Sequence, residues 1–167
     1  MKYVIKEMLE THWDEVKSIY LQGIHTNKST FQTEAPNWKL WDAGHLTICR
    51  FVVLVEGHVG GWVALSPSSA RLCYKGVVEV SLYIDERFQG IGVGTALLNY
   101  LIQASEEHGI WSLYSVIIRE NTSSIALHKK CGFRKVGIRE KIARMESTGK
   151  WHDIVFMERR SKCIGIE

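Results

Sequence analysis

A glycine-rich segment in the middle of the sequence has the residue types and the spacing of an anion-binding turn. Gly90, Gly92 and Gly94 alternate between a strand-like run at 77–84 and a helix-like run at 94–107. Glycines at such a turn let several backbone N–H groups point at one spot, and the helix N-terminus adds unpaired donors and the positive end of its dipole. The segment therefore predicts a phosphate-binding site.

Two common phosphate motifs do not describe this segment. A Walker A loop requires Gly, four further residues and then Gly-Lys-Ser/Thr, and the sequence contains no such run. A dinucleotide fingerprint requires a third glycine where Thr95 stands, and it belongs to the first strand–helix turn of a repeating fold. What remains is the pattern Gln89-x-x-Gly92-x-Gly94. The spacing alone also leaves open a tight turn that only caps a helix.

The strand before this turn carries a carboxylate in its middle. Side chains alternate along a strand, so Glu79 shares one face with Ser81 and Tyr83, while the other face is wholly apolar. The residues alone favour an exposed or salt-bridged strand glutamate, although Glu79 stands beside the predicted phosphate site.

Periodicity of the hydrophobic residues predicts a mixed α/β chain with the order β-α-α-β-β-β-α-β-α-β-β, and Thr11 is predicted to cap the first helix. The predicted strands cover residues 3–5, 51–55, 59–65, 77–84, 113–118, 136–144 and 151–157, and the predicted helices cover residues 12–23, 37–43, 94–107 and 123–130. With 167 residues and 46% hydrophobic residues, we expect a single domain over residues 1–167.

Charge and cysteine usage limit the partners. The net charge of +3 comes without a dense basic cluster, which argues against a nucleic-acid partner. The four cysteines are scattered and form no Cys-x-x-Cys pair, so neither a metal site nor a disulfide framework is expected. No stretch has the pattern of an export signal or the length of a membrane span, which predicts a cytoplasmic protein without a membrane partner.

Ordered motifs along nearly the whole chain resemble one known family. They lie at residues 29–34 (Ser-Thr-Phe-Gln-Thr-Glu), 78–84 (Val-Glu-Val-Ser-Leu-Tyr-Ile), 89–94, 121–128 (Asn-Thr-Ser-Ser-Ile-Ala-Leu-His), 131–133 and 149–157. Together they resemble the GNAT superfamily of N-acetyltransferases, and within it the phosphinothricin and methionine sulfoximine acetyltransferase branch. One position departs from that branch: many of its members have His after the strand glutamate, where this chain has Val80.

The resemblance implies a fold and an activity. The fold would be that of acyl-CoA N-acyltransferases, with a central mixed, mostly antiparallel sheet flanked by helices. The activity would be acetyl-CoA-dependent acetylation of a small amino acid or analogue, such as phosphinothricin, methionine sulfoximine or methionine sulfone, by direct transfer in a ternary complex. A homodimer is also implied.

The resemblance also implies roles for individual residues. Glu79 would be the general base, Glu34 would lie near the substrate amine, and His128 would transfer a proton or contact the cofactor. Cofactor contacts are implied for Leu82, Tyr83, Ile84, Gln89, Gly90, Ile91, Gly92, Val93, Gly94, Thr95, Asn121 and Ser124. Substrate contacts are implied for Phe31, Arg71, Tyr74 and Lys75.

Two other functions remain open at this stage. The same chemistry could act on a polyamine, an aminoglycoside or a protein N-terminus, which an acidic groove would favour and which Arg71 and Lys75 in the pocket would disfavour. The chain could instead be a non-catalytic sensor that binds acyl-CoA. Glu79, Glu34 and His128 argue against a sensor, since such a protein needs no general base or acid.

Overall fold

The computed structural model describes residues 2–167 and consists of a seven-stranded sheet with helices on both faces. The strands are β1 Tyr3–Glu7, β2 Phe51–Val55, β3 His58–Pro67, β4 Val77–Ile84, β5 Ser112–Ile118, β6 Arg134–Arg144 and β7 Trp151–Arg160. The helices are α1 Trp13–His25, α2 Trp38–Ala43, α3 Val93–Glu107 and α4 Thr122–Lys130.

The strands lie in the order β1-β2-β3-β4-β5-β7-β6. All neighbouring strands are antiparallel except β4 and β5, which run parallel. The crossover from β4 to β5 passes through α3, as a parallel connection requires. The predicted mixed, mostly antiparallel sheet flanked by helices is thus confirmed.

Two apolar clusters hold the helices to the sheet. One cluster joins the sheet to α3 and is centred on Leu97, Leu98 and Leu101, which are fully buried. The other joins the opposite face to α1 and α2 and is built around Trp41 and Trp62. Full burial of each such side chain contributes about 1.5–3 kcal/mol. The face that carries Glu79 is the one that faces α1 and α2, since its neighbour Tyr83 packs in the second cluster.

Strands β4 and β5 separate along their length. Their ladder contains the pairs Val77–Ser112, Val78–Leu113 and Glu79–Tyr114, and it ends there. From Val80 to Ile84 strand β4 pairs only with β3. We call this gap the fork; it lies between residues 80–84 of β4 and residues 115–118 of β5. One edge of β4 is therefore without a strand partner beside the predicted general base.

The helix and strand predictions hold with small shifts at the ends. Strand β7 extends to Arg160, and β6 begins at Arg134. The predicted cap of the first helix is wrong: α1 begins at Trp13 with His12 as its N-cap, and Thr11 lies in a short 3-10 turn over Glu10–His12. Because the 3-10 turn precedes the helix, α1 begins one residue later than predicted, and Thr11 lies before its N-cap.

Candidate active site

The glycine-rich segment forms an open turn between β4 and α3. Gly90 and Gly92 have positive φ angles of 76° and 93°, which side-chain-bearing residues rarely adopt. A Cβ atom at either position would meet no atom within 4 Å, so the turn is open on this side. The side chain of Gln89 closes the turn by donating from Nε2 to the carbonyl oxygen of Ile84 at 3.2 Å.

The backbone of this turn has unpaired donors. Among residues 2–167, no backbone N–H from Gln89 to Thr95 donates to another residue, and the last three of these residues, Val93 to Thr95, form the first turn of α3. Such an array suits a phosphate or pyrophosphate group. The predicted residues 89–95 thus form one turn whose backbone donors are free.

Beside this turn, the unpaired edge of β4 can bind an extended chain of a ligand, called the ligand arm. Leu82, Tyr83 and Ile84 lie in the part of β4 that borders the fork. A ligand arm lying there could form strand-like hydrogen bonds, as an added strand does. Part of this capacity is already used, because the carbonyl oxygen of Ile84 accepts the Gln89 amide.

On the other side of the fork, the predicted contacts Asn121 and Ser124 have structural roles in helix α4. The side-chain Oδ1 of Asn121 accepts from the backbone N–H of Ser124 at 3.3 Å, as an N-cap does. The backbone carbonyl of Ser124 in turn accepts from His128. Both residues lie next to the fork because α4 follows β5 directly.

Glu79 is the third residue of β4 and lies at the last rung before the fork opens. It is half-buried, and among residues 2–167 its carboxylate makes no hydrogen bond or ion pair. Burial without a partner raises its pKa, because the charged form loses hydration. Its rung partner Tyr114 also has a raised pKa, chiefly from burial and secondly from the charge of Glu79. A carboxylate with these properties is a good candidate for a general base.

A cavity of about 510 Å³ lies on one side of Glu79 along β4. Ser81 and Tyr83 form its floor, Glu34 and Gln32 lie at its rim, and the remaining walls are mainly aromatic. The other lining residues are Tyr20, Ala35, Pro36, Leu40, Trp41, His45 and Trp62. Among residues 2–167, no Lys or Arg lines this cavity, which is therefore better suited to a cation or an apolar group than to an anion.

A second cavity of about 350 Å³ lies on the other side of Glu79, where β4 begins. Tyr74 lines it, and the guanidinium carbon of Arg71 lies 5.4 Å from the centre of the Tyr74 ring. The other lining residues are Ser68, Ser69, Val77, Ser112, Tyr114, Phe156 and Glu158. Arg71 therefore lies at the edge of this cavity and packs on one of its walls.

The structure does not gather all of the predicted substrate residues in one pocket. Glu34 lies at the first cavity and Tyr74 at the second. Lys75 is exposed and lines neither. Phe31 packs edge-on against His152 at 6.2 Å between ring centres. Glu79 is the carboxylate that lies between the two cavities, since Val77 lines one and Ser81 the other.

His128 is buried beside the fork with both ring nitrogens engaged. Its Nδ1 lies 2.7 Å from the carbonyl oxygen of Ser124, and its Nε2 lies 2.8 Å from the hydroxyl of Ser115. Burial lowers its pKa, which the hydrogen bond to Ser124 only partly offsets. Ser115 was not predicted from the sequence, because its importance depends on where β4 and β5 separate.

Among residues 2–167, no three side chains of His, Cys, Asp or Glu come together as a metal site would require. Within the same part of the chain, no helix has both the length and the apolar character needed to cross a lipid bilayer.

The forked sheet and the open glycine turn at the start of α3 could hold a ligand that has a phosphate group and an extended chain. The family model described as "Acetyltransferase (GNAT) family" matches residues 6–133. The chain belongs to this family and is an N-acetyltransferase. The predicted superfamily is thereby confirmed.

The similar proteins also confirm the predicted branch. A phosphinothricin N-acetyltransferase of Streptomyces viridochromogenes is 34% identical over 140 residues, covering 81% of this chain and 75% of the relative. An L-methionine sulfoximine/L-methionine sulfone acetyltransferase of Pseudomonas aeruginosa is 32% identical over 85 residues, covering 51% of this chain and 48% of the relative. A phosphinothricin acetyltransferase structure from Sinorhizobium meliloti, solved with acetyl-CoA, superposes with a TM-score of 0.85 at 25% identity and covers 99% of this chain and 97% of that one. Acetyl-CoA as cosubstrate is thereby confirmed for this branch.

Proposed function

We propose that the protein transfers the acetyl group of acetyl-CoA to the amino group of a small amino acid or analogue of the phosphinothricin, methionine sulfoximine or methionine sulfone type. The observation that carries this proposal is the position of Glu79. It is a half-buried carboxylate without a partner, and it stands where the fork begins. The phosphate-binding turn follows at the far end of the same strand.

The residues around the fork fit coenzyme A. The free N–H groups of residues 89–95 would hold the pyrophosphate, and the β4 backbone at Leu82, Tyr83 and Ile84 would hold the extended arm. Asn121 and Ser124 would border that arm from α4. When bound, acetyl-CoA supplies an activated acyl group as a thioester. Holding it beside the amine turns a bimolecular reaction into one within a single complex, so no acetyl-enzyme is needed.

Glu79 is assigned the role of general base, acting directly or through a water molecule. An ammonium group must lose a proton before it can attack, and the raised pKa of Glu79 makes this carboxylate a stronger proton acceptor than an exposed glutamate. Positioned acid–base groups contribute about 10²–10⁴-fold to rates. His128 is assigned to proton transfer on the opposite, α4 side of the fork.

The acceptor would lie along β4 across Glu79. Glu34 at the first cavity would bind or help to deprotonate the ammonium group. Arg71, at the edge of the second cavity with Tyr74, would bind the acceptor carboxylate, and Lys75 adds positive charge to the same loop. Phe31 would contribute an apolar contact from the loop before α2.

A second candidate acceptor is a cationic amine such as a polyamine or an aminoglycoside. It is favoured by the first cavity, which has Glu34 at its rim, aromatic walls and no lining Lys or Arg. Aromatic faces attract cations by about 0.5–2 kcal/mol. The two candidates differ in the cavity that they use.

We also propose that the chain acts as a single-domain cytoplasmic homodimer. The cytoplasm is supported by Cys49, Cys73, Cys131 and Cys163, all of which are free. A dimer is supported by exposed apolar side chains on the neighbouring strands β5, β7 and β6. These are Val116, Val136, Ile138, Ile142 and Trp151, which are 37–60% exposed. Light scattering at assay concentration should give twice the monomer mass of 19.1 kDa.

The test of the proposed function is thiol release from acetyl-CoA with a panel of acceptors. The panel contains methionine sulfone, methionine sulfoximine, phosphinothricin, spermidine, an aminoglycoside and a short peptide. Preference for the amino acid analogues supports the first proposal, and preference for spermidine or the aminoglycoside supports the second. Tight acetyl-CoA binding without turnover of any amine would contradict both and favour a sensor.

A further inference from the structure

Ser115 occupies the first position of β5 after the ladder with β4 ends. The last β4–β5 pair is Glu79–Tyr114, so Ser115 and Val80 are the first residues on either side of the fork. The Ser115 hydroxyl lies 3.5 Å from the carbonyl oxygen of Val80, and the residue is 3% exposed. Bulk water therefore does not compete for this hydroxyl, and a group that reaches it must lie between the two strands.

The hydrogen bonds of His128 define its tautomer. The carbonyl oxygen of Ser124 can only accept, so the hydrogen of the neutral ring lies on Nδ1. The other nitrogen, Nε2, then has a lone pair, and the hydroxyl of Ser115 donates to it at 2.8 Å. Phe133 closes the ring environment edge-on, at 5.0 Å between ring centres. Ser115 is the side chain that connects this otherwise enclosed imidazole to the fork.

This pair has the arrangement of a hydroxyl with an oriented base. A hydroxyl within hydrogen-bond reach of an imidazole, whose other nitrogen is fixed by a third group, can pass a proton in either direction. Because the resting ring is neutral, the pair can accept one proton: the hydroxyl receives it on one side and passes its own proton to Nε2. The same two hydrogen bonds can then work in reverse.

N-acetylation requires one such transfer after the general base has acted. The reacting ammonium loses two protons in all. The first leaves before attack and is assigned to Glu79. The second is on the nitrogen of the tetrahedral intermediate, and the sulfur on the same carbon must gain a proton as the C–S bond breaks. Nitrogen and sulfur share one carbon, so one hydroxyl beside it can serve both.

We propose that Ser115 and His128 form a proton relay that moves the second amine proton to the departing sulfur. Ser115 Oγ accepts the proton from nitrogen while its own proton passes to His128 Nε2. As the C–S bond breaks, Nε2 returns that proton to Oγ, and Oγ delivers one to sulfur. The products are the amide and the free thiol, and Ser115 and His128 regain their starting protonation. This relay rests on the proposed acetyltransferase function. Ser115 contacts the reacting atoms, and His128 acts through it.

The first experiment tests whether residue 115 lies next to the cofactor thiol, and it does not require turnover. The variant Ser115→Cys is incubated with coenzyme A disulfide, and its intact mass is measured. A cysteine beside the thiol position should exchange to form a mixed disulfide, so that the protein gains one coenzyme A. The wild type, with its own four cysteines, and the variant Ser105→Cys, at a buried α3 serine, are the controls. Labelling of Ser115→Cys no faster than these controls overturns the placement.

The second experiment tests the relay by kinetics. Ser115→Ala should lower kcat by about 10–100-fold with the KM for acetyl-CoA unchanged, since it removes a proton-transfer step. Ser105→Ala is the matched control, because this serine is also buried and its hydroxyl donates only to the local carbonyl of Ile102 at 2.7 Å. A kcat of Ser115→Ala within about twofold of the wild type overturns the relay.

A double variant separates a relay from two independent contributions. If Ser115 and His128 act in one path, Ser115→Ala/His128→Gln should be no slower than the slower single variant. Losses that multiply would overturn the relay. ¹⁵N NMR of the unliganded protein should show His128 as the Nδ1–H tautomer, and an Nε2–H tautomer would also overturn it. If the wild type acetylates no amine, the proposed function fails, and disulfide labelling still tests where Ser115 lies.

Discussion

Gly92 offers a direct test of the phosphate-binding turn, because replacing it with alanine changes the backbone and adds one methyl group. Its φ of 93° lies in the region that glycine favours, and a Cβ atom there would meet no atom within 4 Å. The cost to folding therefore comes from backbone conformation alone, at about 1–2 kcal/mol. For a chain of this length, each kcal/mol corresponds to about 2–4 °C in Tm, so Gly92→Ala should lower Tm by about 2–8 °C.

The same substitution should weaken acetyl-CoA binding. The added methyl points to the open side of the turn, and relief of the strain would turn its N–H groups away from their common target. Loss of one hydrogen bond to a charged phosphate costs about 1.5–3 kcal/mol. Since 1.4 kcal/mol is a factor of ten, the Kd for acetyl-CoA should rise by about 10–150-fold.

Gly57 supplies the matched control. It lies in the turn between β2 and β3 with a φ of 89°, and a Cβ there also meets nothing within 4 Å. Gly57→Ala should therefore carry a similar loss of Tm and leave the acetyl-CoA affinity unchanged. Thermal unfolding and isothermal titration calorimetry of the two variants check this. Equal acetyl-CoA affinity in Gly92→Ala and Gly57→Ala would refute the assignment of the turn.

Three further predictions follow from individual contacts. Asn121→Ala removes the N-cap of α4, so it should lower the free energy of unfolding by about 1 kcal/mol and weaken acetyl-CoA binding. Asn37→Ala removes the N-cap of α2 and should lose similar stability without loss of acetyl-CoA affinity. Equal acetyl-CoA affinity in the two variants would contradict the placement of Asn121 in the cofactor site. Burial raises the pKa of Glu79, and a protonated Glu79 cannot act as a base. As the pH is lowered, kcat should therefore begin to fall at a pH above the ordinary glutamate pKa of 4.5. A fall of kcat that begins only below pH 4.5 would contradict the role of Glu79. Burial alone would raise the pKa of Glu106, but the hydrogen bonds from Arg159 at 3.0 Å and from Ser161 at 2.8 Å, together with the charge of Arg159, outweigh it and lower the pKa. This carboxylate stabilises the fold above its unfolded pKa and ceases to do so as the pH falls through its lowered value, so Glu106→Gln should lower Tm more at pH ~7 than at pH ~3.

Most of the fold could be predicted because local patterns determine it. The alternation in β4 and the leucine stripe of α3 predict the correct elements, and the family motifs predict a mixed, mostly antiparallel sheet flanked by helices. The start of α1 could not be predicted, because the residues that resemble a helix cap form a 3-10 turn directly before the helix. The insertion of β7 between β5 and β6 depends on long-range pairing that sequence spacing does not encode.

The two halves of the site differ in how far the sequence determines them. Most of the donor half lies in one continuous segment from Glu79 to Thr95, and a second recognisable segment at the start of α4 contributes Asn121 and Ser124. The acceptor half combines separate loops, and the structure distributes Glu34 and Tyr74 over two cavities. Ser115 could not be found from the sequence, because a serine in a strand carries no signal until the neighbouring strand separates from it.

The most direct test of the account is the turnover of Glu79→Gln, which keeps the size of the side chain and removes its basicity. With saturating acetyl-CoA and the best acceptor, kcat should fall by about 10²–10⁴-fold, while the Kd for acetyl-CoA from calorimetry stays within about twofold. A kcat close to the wild-type value would contradict the assignment of Glu79 as the general base of this acetyltransferase.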